Sequence, residues 1–196
     1  MPASTPIRMT AALLLLMAGC SGTPPAQKFP ELSWSRLPPI TLKVSQVEVV
    51  KAYVPSDQAP HVETLPPRTL IDAADRWARD RLRVGGGAGF ARFIITDASM
   101  VEVALPVQSG LAYAFTTQQA KRYDAHVAAR LEILDASGKL LGQVMAEASN
   151  SRSIPQDASQ RQINDTWYLI VEGAMIDLNA ELDRNIRAHL GPFLRS

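Results

Sequence analysis

From Ile163 to Leu190 the chain carries an apolar stripe that only a long helix can gather onto one side. Ile163, Trp167, Ile170, Val171, Ala174, Leu178, Leu182, Ile186 and Leu190 recur mostly three or four residues apart, with polar side chains between them. Asp157 and Gln160 have the spacing of a capping box before it, and Gly191–Pro192 closes it. A one-sided helix this long needs a second layer to lie on. A shorter stripe, Leu70, Ala73, Ala74, Trp77, Ala78 and Leu82, follows a T-x-x-D cap at Thr69 and Asp72 and is expected to end at Gly85–Gly87. Asp72–Arg76 and Asp75–Arg79 are expected as ion pairs on its wet side.

Between and before these helices the pattern alternates. Ile40–Val54 is rich in β-branched residues and reads as one strand, with a bulge near Ser45–Gln46 to bring Ile40, Leu42 and Val44 onto the side of Val47 and Val49. Phe90–Thr96 and Met100–Val107 read as two strands separated by a turn. Tyr123–Asp135 alternates again, and Asp135–Lys139 forms a hairpin turn leading into a strand over Leu140–Ala148. The expected fold is α+β: two layers, an antiparallel sheet of three to four strands with two helices on one face, in the order β-α-β-β-β-α.

The amino terminus is of another kind. Arg8 is the only charge before Cys20, and the apolar run Met9–Ala18 is too short for the roughly 20 residues of a spanning helix. It has the length of a secretory h-region, and it ends in Ala18 and Gly19 directly before Cys20, the only cysteine of the chain. From Ser21 to Pro39, five prolines and several small polar residues read as an extended tether, with Trp34 and Leu37 placed to dock on the domain's edge. The expected organisation is a signal over residues 1–19, a cysteine and tether over 20–39, and one globular domain over 40–196.

Composition excludes several functions. Lys and Arg number 20 against 19 Asp and Glu, and without Arg8 the balance is even, so no basic excess points to nucleic acid. "RVGGGAGF", Arg83–Phe90, follows a helix and precedes a strand. A phosphate cradle needs the reverse order, so no nucleotide is expected. No Cys/His spacing fits a metal, and no cofactor is expected. His61, His126 and His189 fall in a loop, a strand and a helix end. His126 shares a strand face with Asp124, Arg130 and Glu132, which makes that face the candidate for a partner or ligand, or for a base in catalysis. Neither Ser99 nor Ser109 has an evident base, and Asp177, Glu181 and Asp183 interleave with Arg184 and Arg187 as a wet helix surface. Trp77 and Trp167 are expected as core anchors. No catalytic residue is assigned.

"LLLLMAGCSG" resembles the lipobox of bacterial lipoproteins. That resemblance implies cleavage between Gly19 and Cys20 by the lipoprotein signal peptidase, and acylation of Cys20 on sulfur and usually on its new amine. Several acyl chains hold a protein durably, since each buried methylene adds ~0.8 kcal/mol. Ser21 in the next position resembles the pattern of outer-membrane lipoproteins, so a periplasm-facing outer-membrane anchor is expected ahead of an inner-membrane one. In architecture, "ITLKVSQVEVV", "RWARDRL", "YDAHVAARLEILDASGKLLGQ" and the final helix resemble the small PqiC-like auxiliary lipoproteins of ABC-type lipid transport systems, and in outline the lipopolysaccharide-assembly lipoprotein. The resemblance implies a non-enzymatic accessory or assembly subunit of an envelope transport system with a protein partner. The alternative is a periplasmic small-ligand carrier or hydrolase using the His126 face.

Overall fold

The computed structural model describes residues 27–106 and 118–195. Its elements are β1 (Ile40–Leu42), β2 (Gln46–Lys51), α1 (Leu70–Arg81), β3 (Leu82–Val84), β4 (Phe90–Ala104), β5 (Gln119–Leu134), β6 (Leu140–Pro155) and α2 (Gln160–His189), with a 3-10 turn over Gly191–Phe193. The α+β class holds. Four strands form one sheet in the order β2-β4-β5-β6, and β1 and β3 form a second small sheet.

β4, β5 and β6 are antiparallel as expected, whereas β2 runs parallel to β4, with Val47 opposite Ala91 and Val49 opposite Phe93. The reason lies in the connection. α1 carries the chain back across the sheet before β4 begins, and a strand that returns through a helical crossover pairs parallel. The same crossover aligns β1 with β3, Ile40 opposite Leu82. The long first strand is therefore two short ones, broken at Lys43–Ser45. β4 is likewise a single strand where two were expected, its register stepping between Ile95 and Asp97. That step is a bulge, so the DAS tripeptide bends the strand and does not end it.

Both helices cover one side of the large sheet. Every residue of the α1 stripe is buried, and of the α2 stripe only Ile163 is partly exposed, with Met175 added to it. The α1 cap is the expected one, Thr69 Oγ1 accepting from the Asp72 amide. The helix ends earlier than the glycines, because Leu82–Val84 is drawn into β3. The α2 capping box is formed by Ser159 and Gln162, not by Asp157 and Gln160, two residues later than expected. Asp75 pairs with Arg79, but Asp72 turns to Lys51, leaving Arg76 to Asp80 and Glu31. In the core, Trp77 packs on Phe93 at 5.2 Å between ring centres and Trp167 edges onto Tyr123 at 5.5 Å.

Residues 27–39 lie along the helices with no regular secondary structure. The Trp34 side chain is buried, while Leu37 stays exposed. Asp80 accepts from the Trp34 amide and from Ser33 Oγ, both at 2.9 Å. Arg68 donates to the carbonyls of Phe29 and Pro30, Arg81 to that of Pro38, and the Phe29 ring sits 5.4 Å from that of Tyr168. The described end of this strap, Gln27, donates to Asp165 near the start of α2.

Candidate functional site

The side of the sheet that the helices leave uncovered is built by strand alternation. Along β5 the residues Tyr123, Ala125, Val127, Ala129, Leu131 and Ile133 enter the core, which turns Asp124, His126, Ala128, Arg130 and Glu132 to the open side. The register places Ser99 and Ser149 on either side of His126, Val101 and Ser151 beside Asp124, Ile94 and Met145 beside Arg130, and Arg92 and Gln143 beside Glu132.

Two groups result. At the hairpin end, charges alternate across the strands. Glu48 meets Arg92 at 2.9 Å, Arg92 lies 3.9 Å from Glu132, and Glu132 contacts Arg130 at 2.9 Å. At the other end, Ser99, Val101, Asp124, His126, Ser149 and Ser151 line a broad open depression of about 390 Å³. His126 Nδ1 is 3.0 Å from Ser149 Oγ, and its Nε2 is 4.0 Å from Glu147. Asp124 is held by both arms of Arg122, each bond 2.7 Å. The four residues expected on one strand face thus share that face, but they belong to separate groups: Arg130 and Glu132 to the ion-pair row, Asp124 and His126 to the depression.

The Ser149–His126–Glu147 contact is one that sequence reasoning missed, because Ser149 and Glu147 arrive from the neighbouring strand. It has the nucleophile–base proximity of a hydrolase, but the described residues do not supply the remainder. An oxyanion needs preorganised donors, and the β5 amides beneath the depression are committed to ladders on both sides. Glu147 is largely exposed, so it does not hold the imidazole in a fixed orientation. The arrangement presents hydroxyls, an imidazole and carboxylates on one open surface.

A second cluster was also missed. Glu63 is buried, yet every lone pair is used. Tyr53 Oη donates to Oε1 at 2.6 Å and the Ser56 amide at 2.9 Å; His61 Nδ1 lies 3.2 Å and the Met100 amide 3.5 Å from Oε2. Burial works to raise its carboxyl, but the donated hydrogen bonds outweigh it and hold the group below the ordinary glutamate range. Burial and the adjoining carboxylate push the Tyr53 phenol well above its ordinary value. The cluster ties the loop after β2 to β4, and the only trace of it in the sequence is the short His-x-Glu spacing. His189 is exposed near the α2 terminus, and Asp183 joins Arg187 and the buried Arg81 across the two helices. Among the described residues no group of three metal-binding side chains is found. Gly19, Cys20 and Ser109 lie outside the described residues.

No protein-family model matches the chain, and no curated protein matches it. Among solved structures it is similar to rare lipoprotein B from Shewanella oneidensis, with 11% identity and a TM-score of 0.38 over 74% of this chain and 96% of that one. It is also similar to a minor lipoprotein from Acinetobacter baumannii, with 8% identity and a TM-score of 0.36 over 76% and 96% of the two chains.

Proposed function

We propose that this protein is a lipid-anchored, periplasm-facing envelope lipoprotein, in the outer membrane in preference to the inner, acting as a non-enzymatic accessory or assembly subunit of a transport system. The observation that carries the docking role is the asymmetry of the sheet. One side is sealed by two helices, whereas the other, among the described residues, is a broad surface of matched charges and hydroxyls with no enclosed pocket. Such a surface fits the polar rim and alternating charge of a protein partner better than a small molecule, which binds where most of its area can be enclosed. The anchor rests on the apolar segment ending at Cys20, the only cysteine.

The strap supports a specific placement. Gln27 is seven residues from Cys20 and lies against α2, so a fully extended chain keeps the domain within ~25 Å of its lipid. The helix layer then stands toward the membrane and the open sheet face away from it, where a periplasmic partner has access. A carrier or hydrolase reading draws on the His126–Ser149 contact, and His126→Ala separates the two. It leaves an accessory subunit's partner bound, or weakened by less than tenfold, but abolishes a His126-dependent activity.

The test is purification of the lipidated protein from its own membranes after mild crosslinking. Recovery with a permease, a lipid-binding subunit or an outer-membrane barrel supports the proposal. Recovery of the protein alone, with wild-type function lost in His126→Ala, overturns it in favour of the second reading.

A further inference from the structure

The glycine-rich loop between β3 and β4 is a sequence motif that the open sheet face does not use. It lies against β1. A Cβ at Gly85 would come within 2.8 Å of Thr41 Cγ2 and 2.9 Å of the Leu42 carbonyl, and one at Gly87 within 2.7 Å of the Lys43 carbonyl. Gly86 and Gly87 also have φ of +82° and +133°, which side chains disfavour. The outer side of the loop is therefore nearly bare backbone. Gly86, Gly87 and Ala88 are exposed, and among the described residues their three successive amides have no hydrogen-bond partner.

Strand pairing brings cations to the same place. Arg83 pairs with Thr41 across β3 and β1. On the other side of β1, Leu42 bridges to Leu194 and the Arg195 amide donates to the Thr41 carbonyl at 2.9 Å, so Arg83, Thr41 and Arg195 form one row. The Arg195 side chain reaches back over Thr41 and donates from Nη1 to the Gly85 carbonyl; that nitrogen is 3.8 Å from where a Gly86 Cβ would stand. Arg83 donates from Nη1 to the carbonyls of Arg79 and Leu82, and Lys43 from Nζ to that of Pro192. All three side chains are exposed, and none has a carboxylate partner among the described residues. A carbonyl satisfies a donor but leaves the charge uncompensated. Other carboxylates at this end are committed, Asp183 to Arg81 and Arg187, and Asp135 to the Ser137 and Lys139 amides of its own turn.

We propose that this loop and its arginines bind a phosphate-type oxyanion. Arg195 and Arg83 each keep guanidinium nitrogens beyond the one spent on a carbonyl, and the free amides of the loop lie beside Arg195. A tetrahedral phosphate accepts from a guanidinium and from backbone amides together, and its second charge is matched by the second arginine, with Lys43 at the rim. The site is no nucleotide cradle: a strand, not a helix, follows the loop, so cations do here what a helix N-terminus does there. It goes beyond the docking role of the open face and does not depend on it. Two sources carry such a group, a phospholipid headgroup and a free phosphate ester. α2 is 30 residues long, ~45 Å, with Gln27 held near its start and Arg195 following its end. A headgroup of the anchoring membrane therefore reaches the loop only when α2 lies along the bilayer surface.

The test uses the full mature chain carrying Cys20→Ser, isotope-labelled and titrated with inorganic phosphate at constant ionic strength. The expected result is a saturable shift of the Gly86, Gly87 and Ala88 amide resonances at millimolar phosphate, with none from chloride. Arg83→Gln/Arg195→Gln weakens phosphate at least about tenfold, with the remaining amide resonances in place to show that it folds. Arg152→Gln, an exposed arginine of β6, leaves phosphate binding unchanged. Sedimentation with phosphatidylcholine vesicles containing phosphatidic acid then identifies the source. Vesicle binding that the double variant loses supports a lipid headgroup, and phosphate binding without vesicle binding supports a free phosphate ester. Absence of a saturable shift, or equal weakening by Arg152→Gln, overturns the proposal. So does vesicle binding that the double variant retains while the loop amides ignore phosphate.

Discussion

At the scale of single residues, the two buried tryptophans make a controlled comparison. Trp77 Nε1 donates to Asn179 Oδ1 at 2.9 Å, whereas Trp167 Nε1 is buried with no hydrogen-bond partner among the described residues. Exchange to phenylalanine removes similar volume from each, but Trp77→Phe also orphans Asn179. Trp77→Phe is expected to cost about 1 kcal/mol more than Trp167→Phe in urea unfolding. Glu63 supplies a pH signature. Its carboxyl is held below the ordinary value, so the stability it contributes is complete above about pH 4.5 and is lost as pH falls through the depressed value. Glu63→Gln should lower stability by about 1–3 kcal/mol at neutral pH and flatten the acid limb of the urea midpoint against pH. Gly89 is demanded by its backbone: φ is +84°, and a Cβ there would press on the Leu134 carbonyl. Gly89→Ala is expected to cost at least about 2 kcal/mol, measured the same way.

At the scale of elements, what could be read from sequence is what depends on local period. The α1 and α2 stripes, the Thr69 cap, the hairpin turn with Gly138 at φ +88° and the inward side of β5 all follow from spacing alone. What could not be read depends on where elements meet. The division of residues 40–54 between two sheets follows from the crossover through α1, and the clustering of Ser149 and Glu147 about His126 follows from strand register. Neither leaves a local mark. The strap at 27–39 is a third case, for proline spacing makes it extended without saying what it touches. Its attachment rests on Trp34 and on Asp80, whose carboxyl burial tends to raise but which the Trp34 amide, Ser33 and Arg76 hold low. Trp34→Ala should cost about 3 kcal/mol if the strap is part of the core and should expose residues 27–39 to limited proteolysis well before α2 is cut.

At the scale of the whole molecule, two helices seal one side of the sheet, Gln27 lies against the second of them, and the open sheet face is directed the other way. The most direct measurement is photo-crosslinking in living cells, with a crosslinking residue placed at Arg130 or Ser99 on the sheet face and at Arg184 on the exposed side of α2. If the sheet face docks a partner, an adduct with one envelope protein forms from Arg130 and Ser99 and none from Arg184. Adducts with that protein from Arg184 alone, or from no position while the protein remains functional, would rule out docking through the sheet face.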